Sequence, residues 1–397
     1  WIHGGVTAAK GFKASGLSAG IKRSRKPDVA LVVSDRSVTA VGVFTRNRVQ
    51  AAPVLISRAR LRLGKAQAVL INSGCANCLT GSTGLSDALS IGRAVAQELG
   101  IAEQAVLLAS TGLIGRRLPV KRMTRVIPSL VHHLSRRHHE AAAQAILTTD
   151  LYAKETAVET TMHGRPCRLG GMAKGAGMIA PSMATMLGVL TTDVSIDRRL
   201  LDDLLREAAD GSFNRISVDG DMSTNDTVFL LASGQSGVHI RRGTRAQRQF
   251  AQMLVAVTQR LASLIAKDGE GVTRVMMVEV LGARTESEAN ACARHVANSP
   301  LVKTMLAGSD PNVGRIAAAI GASMARFDSR KLEIQVSGQR VVSRGAALPL
   351  SKSVTRTLLR RPEVPIRIHL HAGRAQAMIM GCDLTEEYVR INAGYST

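Results

Sequence analysis

A chain of 397 residues with 45% hydrophobic and 21% charged side chains has the make-up of a globular protein of two or three domains able to bury a large core. No run approaches the roughly 18 uncharged apolar residues of a spanning helix, and residues 1–26 hold no apolar signal segment, so the sequence reads as cytoplasmic and not membrane-bound. The net charge of +22 raises nucleic-acid binding as a rival class, but the basic residues are scattered and one Trp, three Tyr and six Phe leave little for base stacking.

The densest basic clusters are Lys22, Arg23, Arg25, Lys26 and Arg136, Arg137, His138, His139, and both read as solvated surface. The chain opens on Trp1 rather than Met, which leaves its native start open. Gly4 to Phe12 is a glycine-containing lead-in. The apolar, β-branched runs Ala30–Ser34 and Ala40–Phe44 predict two paired strands, and Val69–Asn72 a third that enters the turn-rich loop Ser73–Gly81. Ser86 to Leu99 carries apolar residues at helical spacing with Gly100 as a stop signal, giving a strand, loop, helix rhythm of the α/β class. Five cysteines suit a reducing compartment. Cys75 and Cys78 form a C-x-x-C without a second pair to complete a tetrahedral zinc site, so they read as structural. His132, His133, His138 and His139 lack a carboxylate at helical ligand spacing and are expected on a solvated helix face.

Val106–Ala109 predicts a strand that runs into Ser110, Thr111 and Gly112. A hydroxyl beside a glycine N–H is a pair suited to an oxyanion hole, although by the sequence alone a plain turn is the favoured reading. Two helical patterns follow between Pro119 and Ile146, leading to Leu147, Thr148, Thr149 and Asp150. The segment Lys174–Asp193 joins a Gly175/Gly177 run and Pro181 to an apolar strand pattern, Met186–Thr192. Its glycines fit neither a dinucleotide fingerprint, which must open a helix, nor a Walker loop, which needs Gly before the lysine. Lys174 reads as a cation available to a substrate carboxylate. A cut between Ala184 and Thr185 would turn Thr185 into a hydroxyl nucleophile with its own α-amine as base, whose reference pKa is about 7.7 to 8; uncut, it is a buried strand threonine.

Further on, Asp197–Ala209 and Gln247–Ala266 predict helices, and Met276–Val280 a strand. The acidic loop Ile216–Asp226 resembles a calcium loop only superficially, because Thr224 and Leu230 stand where the turn glycine and closing glutamate belong. Glu270, in the turn Lys267–Gly271, offers a carboxylate to a cationic amine.

Met183, Ala184, Thr185, Met186 after the Lys174-Gly175 run, with Ser110-Thr111-Gly112, Asp268-Gly269-Glu270-Gly271, Asn298–Thr304, Asp310–Ile316 and the C-terminal Gly381–Thr397, resemble the ArgJ family, the glutamate N-acetyltransferases and ornithine acetyltransferases of arginine biosynthesis. The resemblance runs from Gly4 to Thr397. It implies stacked β-sheets flanked by helices, the DmpA/ArgJ-like αββα fold of N-terminal-nucleophile enzymes. It implies autocleavage into an α chain, residues 1–184, and a β chain, residues 185–397, assembled as α2β2. Thr185 becomes the nucleophile, Thr111 and Gly112 the oxyanion hole, and Lys174, Glu270, Asn392, Thr397 and Thr148, with Thr149 as the alternative, the substrate contacts. The implied reaction is ping-pong acetyl transfer from N-acetylornithine to glutamate, without metal or organic cofactor and with acetyl-CoA as an optional donor. An aminopeptidase or amidase of the same fold is the alternative enzyme. Leu151, Ala153 and Val313 depart from the family pattern, which has Thr, Pro and Trp there.

Overall fold

The computed structural model describes residues 1–180 and 186–394, so the junction Ala184–Thr185 and the terminal Thr397 lie outside the described residues. The strands, in chain order, are β1 (Phe12–Leu17), β2 (Val29–Phe44), β3 (Lys65–Cys75), β4 (Val106–Leu113), β5 (Lys154–Met162), β6 (Arg165–Lys174), β7 (Leu187–Thr192), β8 (Ser195–Ile196), β9 (Thr227–Ala232), β10 (His239–Ile240), β11 (Val275–Ala283), β12 (Glu333–Val336), β13 (Gln339–Ser343), β14 (Ala346–Ala347), β15 (Glu363–His369) and β16 (Ala375–Cys382). They fall into two units. The first comprises Trp1–Met178, Ser182–Asn214 and Asp221–Ile265; the second comprises Ile179–Pro181, Arg215–Gly220 and Ala266–Thr397.

In the first unit an eight-stranded sheet has the order β4-β3-β2-β9-β7-β6-β5, with β1 also on β2. The two runs expected to pair with each other are instead one strand, β2. Its first half bonds to β1 and β3 and its second half to β9, with a register shift against β3 between Val33 and Val38. Asp35, Arg36 and Ser37 are exposed at that irregularity, and they supply no glycine or proline to reverse the chain.

The period of two along β2, β3 and β4 sorts side chains onto two faces. Val29, Leu31, Leu70 and Leu108 pack with Ile91, Val95, Met123 and Ile127 of the helices Gly81–Leu99 and Val120–His132. Ala30, Val32, Ile71 and Leu107 pack with Ala142, Ala143 and Ala145 of the helix His139–Ala145. Both faces are therefore covered. β7 and β9 accordingly read as unbroken buried runs rather than alternating ones.

In the second unit a six-stranded sheet has the order β14-β13-β12-β15-β11-β16, with β11 parallel to β15 and antiparallel to β16. Met276, Val278 and Val280 of β11 and Val364, Ile366 and Ile368 of β15 share a core with Ala289, Cys292 and Val296 of the helix Glu286–Asn298. Thr285 caps that helix by accepting the Glu288 N–H, as Asp197 caps the helix Arg198–Asp210 by accepting the Arg199 N–H. The α/β class expected from the sequence, sheets flanked by helices, is the class observed. Among the described residues, no helix is long and apolar enough to cross a membrane, and no group of three or more metal-ligating side chains converges.

Candidate active site

The Ser110-Thr111-Gly112 segment is the end of β4, not a free turn, and its register sets Gly112 opposite Gly74 on the parallel strand β3. A Cβ on Gly112 would stand 2.4 Å from the Gly74 carbonyl carbon and 2.6 Å from the Cys75 nitrogen, and its φ is +124°. No side chain fits there, so the glycine is dictated by the approach of two backbones. Buried amides brace the same strand end. Asn72 accepts the Ser110 hydroxyl at 2.6 Å and donates to the Cys75 carbonyl at 2.8 Å. Asn225 donates to the carbonyls of Ala76 and Ser110, each at 2.8 Å, so the acidic loop Ile216–Asp226 serves as scaffold for this strand end.

Thr111 is buried and faces Lys174, the last residue of β6. The Lys174 ammonium donates to the hydroxyls of Thr148 at 2.7 Å and Thr111 at 3.3 Å, and lies 3.7 Å from the Asp150 carboxylate. Asp150 in turn accepts Lys154 Nζ at 2.7 Å, the Gly175 N–H at 2.7 Å and the Thr148 N–H at 3.0 Å. Burial alone would push the Asp150 carboxyl up, but the charges of Lys174 and Lys154 outweigh it and hold the group well below the usual carboxylate range. A hydroxyl that accepts from an ammonium keeps its own proton to donate elsewhere, and the positive charge strengthens that donor. Thr111 is thus a polarised donor at a strand end with glycine as its neighbour.

In the second unit Glu270 is buried and accepts a 2.8 Å bond from the exposed Asn392 side chain. Gly271 makes the turn possible. Its φ is +68°, and a Cβ there would meet the Tyr388 nitrogen at 2.5 Å. Thr111, Gly112, Thr148 and Lys174 are therefore brought together in one unit and Glu270 with Asn392 in the other, while Ala184, Thr185 and Thr397 fall outside the described residues.

Three features escaped the sequence reading. Asp150, at the centre of the network, was visible only as the end of a Thr-Thr-Asp run. Lys22 does not belong to a freely solvated cluster: its stem packs 3.1 Å from the Cβ position of Gly74, and its ammonium donates to the Pro27 carbonyl at 2.7 Å. His139 is buried, not on a solvated face, and its Nδ1 lies 2.8 Å from Glu155 of β5, a carboxylate no helical spacing would reveal. Cys75 and Cys78 are buried free thiols, and burial pushes Cys75 up, away from a reactive thiolate.

The profile of the ArgJ family matches residues 13–397. The arginine biosynthesis bifunctional protein ArgJ of Thermosynechococcus vestitus is 44% identical over an alignment covering 100% of this chain and 99% of that protein. The protein of the same description from Dehalococcoides mccartyi is 44% identical, with 99% and 98% covered. Among solved structures, the arginine biosynthesis bifunctional protein ArgJ of Bacillus halodurans is similar at a TM-score of 0.50 and 38% identity, over 52% of this chain and 97% of that one. Matched from residue 13 to its last residue and aligned along its whole length with such relatives, the chain belongs to the ArgJ family.

Proposed function

We propose that this chain transfers acetyl from N-acetylornithine to glutamate through an acetyl ester on Thr185, after cutting itself before that residue. The observation that carries the reading is the Lys174 ammonium shared between the Thr111 and Thr148 hydroxyls, beside a Gly112 that no other residue can replace. Family membership supplies the reaction.

In the precursor, the Thr185 hydroxyl attacks the Ala184 carbonyl, the peptide C–N bond breaks, and the chain is held by an ester. Water hydrolyses that ester, releasing an α chain of residues 1–184 and a β chain of residues 185–397 with a free Thr185 amine. In the mature protein Thr185 Oγ attacks the acetyl carbonyl of N-acetylornithine while the amine takes the hydroxyl proton. The tetrahedral oxyanion is met by the Thr111 hydroxyl and the Gly112 N–H. Collapse expels ornithine, which carries away the proton; the neutral glutamate amine then attacks the acetyl ester, the bond from the acetyl carbon to Thr185 Oγ breaks, Oγ regains a proton from the attacking amine through the Thr185 α-amine, and N-acetylglutamate leaves. Lys174 and Thr148 set the charge at the base of the site and meet a substrate carboxylate. Glu270, oriented by Asn392, takes a substrate ammonium, and Thr397 completes the contacts. The bifunctional description of the relatives supports acetyl-CoA as a second donor. An α2β2 assembly in the cytoplasm belongs to the same reading.

Denatured intact mass tests it. Wild-type protein yields two fragments divided before Thr185, and Thr185→Ala yields one uncut, inactive chain. With N-acetylornithine alone the β fragment gains one acetyl mass, which glutamate discharges as N-acetylglutamate. A wild-type chain that stays whole yet is fully active sinks the self-cleavage step. Release of free acetate alone assigns a hydrolase instead, and steeply salt-dependent DNA binding without any acetyl adduct assigns the basic surface to nucleic acid.

A further inference from the structure

The first unit holds a cleft of about 970 Å³ that no step above uses. It forms where β2 outruns its neighbour. β3 starts at Lys65, opposite Thr39, so from Ala40 to Phe44 the described residues pair β2 with β9 on one side and with no strand on the other. The end of the helix Ala52–Arg60 and the start of the helix Arg198–Asp210 wall the gap. Its volume lies near the top of the range for small-molecule sites, about 300 to 1,000 Å³.

Six of the fifteen described residues that line it are arginines, whereas the whole chain has 52 lysines and arginines among 397 residues, an enrichment that scattered surface charge does not give. The six divide by task. Arg198 donates to the carbonyls of Leu61 at 3.0 Å and Arg62 at 2.8 Å, and Arg58 to the Gln50 side chain at 2.9 Å and the Thr45 carbonyl at 3.3 Å. Arg206 pairs with Asp202 at 2.8 Å. These three fasten the walls. Arg46, Arg62 and Arg199 are exposed, and their guanidinium groups make no hydrogen bond or ion pair among the described residues. The two carboxylates of the lining do not answer them: Asp202 is taken by Arg206, and Asp197 caps its helix by accepting the Arg199 N–H at 2.8 Å.

We propose that this cleft binds the phosphate groups of a nucleotide, either a free nucleotide acting as an effector or the phosphorylated ADP end of a coenzyme A donor. A guanidinium offers two parallel N–H bonds to a pair of phosphate oxygens, and three uncompensated ones around one concavity favour a ligand that carries several negative charges close together. A lone carboxylate would answer only one of them. Val43, Phe44 and Leu61 add an apolar floor for the organic body that such phosphates are attached to. The proposal goes beyond acetyl transfer between amino acids, and binding is read without turnover, so it stands or falls apart from the chemistry assigned to Thr185.

Titration calorimetry with ADP and with coenzyme A, at about 0.15 M salt, tests it on three proteins. The first is wild type. The second carries Arg46→Gln, Arg62→Gln and Arg199→Gln, which remove charge without breaking a contact of the fold. The third carries Lys121→Gln, Arg125→Gln and Arg137→Gln, the same loss of charge from exposed positions outside the cleft. Wild type and the third protein are expected to bind alike and the second about 10-fold or more weakly, the cost of losing a hydrogen bond to a charged group. A raised KM for acetyl-CoA in the second protein, with KM for N-acetylornithine unchanged, makes the donor the source of the phosphates. An unchanged KM for acetyl-CoA with loss of ADP binding makes it a free nucleotide. Absence of binding by either ligand at millimolar concentration overturns the proposal, as does wild-type affinity in the second protein. Equal weakening in the second and third proteins also overturns it, because net charge alone would then account for the binding.

Discussion

Two buried lysines, one in each unit, show how the same side chain serves structure or chemistry according to its acceptors. Lys303 is 4% exposed and donates to the backbone carbonyls of Val218 at 2.6 Å and Cys382 at 2.5 Å. Lys174 is 2% exposed and donates to two threonine hydroxyls beside the Asp150 carboxylate. Backbone carbonyls cannot turn away or pass a proton on, so Lys303 is a staple between chain segments. Hydroxyls can rotate and donate, so the charge of Lys174 reaches whatever Thr111 faces next. Burial alone does not mark a functional lysine; the mobility of its acceptors does.

Lys174→Met breaks the comparison from the chemical side and carries the largest expected effect. Acetyl transfer falls by about 10³-fold, the upper range for losing one oxyanion donor, because Thr111 loses its polarising ammonium. Asp150 also loses one of two cationic partners, and breaking a buried pair costs about 3 kcal/mol or more, read by urea unfolding. The pH dependence has a definite sign. Since Asp150 is depressed when folded, its stabilisation is present above the ordinary carboxylate value of about 3.9 and is lost as pH falls through the folded value. Without Lys174, acid unfolding therefore starts at a higher pH. Wild-type turnover in Lys174→Met would make this lysine a staple like Lys303.

Thr111→Ala removes the donor and leaves the ion pairs of Lys174 and Asp150 in place. A drop of about 10²-fold in kcat is expected with little change in KM or in the unfolding midpoint. Loss of stability with intact kcat assigns Thr111 to packing. Lys303→Met gives the converse result: stability falls by about 2 kcal/mol, from two carbonyls left unsatisfied, while the kcat of the folded fraction is unchanged.

How much of this was legible follows from the range of each interaction. Helix and strand positions such as Ser86–Leu99 and Val69–Asn72 were visible because periodicity is local, and the structure only lengthens them. The two halves of β2 read as a pair because the polar Asp35, Arg36 and Ser37 look locally like a turn, while the strands that hold the two halves in one line, β1, β3 and β9, lie elsewhere in the chain. The Lys174–Thr148 and Lys174–Thr111 contacts join residues 26 and 63 positions apart. Thr148 is reached only through family resemblance, Thr111 through that resemblance and as a hydroxyl beside a glycine at a strand end, and Asp150 not at all. Asp150 lies at the end of a polar run, and what sets it apart is invisible in sequence: the two ammonium groups of Lys174 and Lys154 around a fully buried carboxylate.

Lys22 sharpens the comparison with the smallest effect. Its neighbours Arg23, Arg25 and Lys26 make it look like surface charge, but the fully buried Asp28 carboxylate accepts the N–H groups of Ala19 and Ile21 at 2.6 Å and of Lys22 at 3.1 Å, folding this segment back against Gly74. Burial lowers the ammonium to about 8, with Asp28 opposing and Lys174 adding to the shift. Its charge is therefore lost as pH rises through about 8, within the range of an ordinary assay. If this charge helps draw in an anionic acceptor, KM for glutamate rises a few-fold more steeply above that pH than in Lys22→Arg, whose guanidinium stays charged. Glutamate loses its own amine proton at alkaline pH, so the informative quantity is the ratio of the two proteins at each pH, not either profile alone. Parallel KM profiles would make Lys22 a second staple, held by the Pro27 carbonyl as Lys303 is held by its two, and would leave Lys174 as the lysine whose charge reaches the substrate.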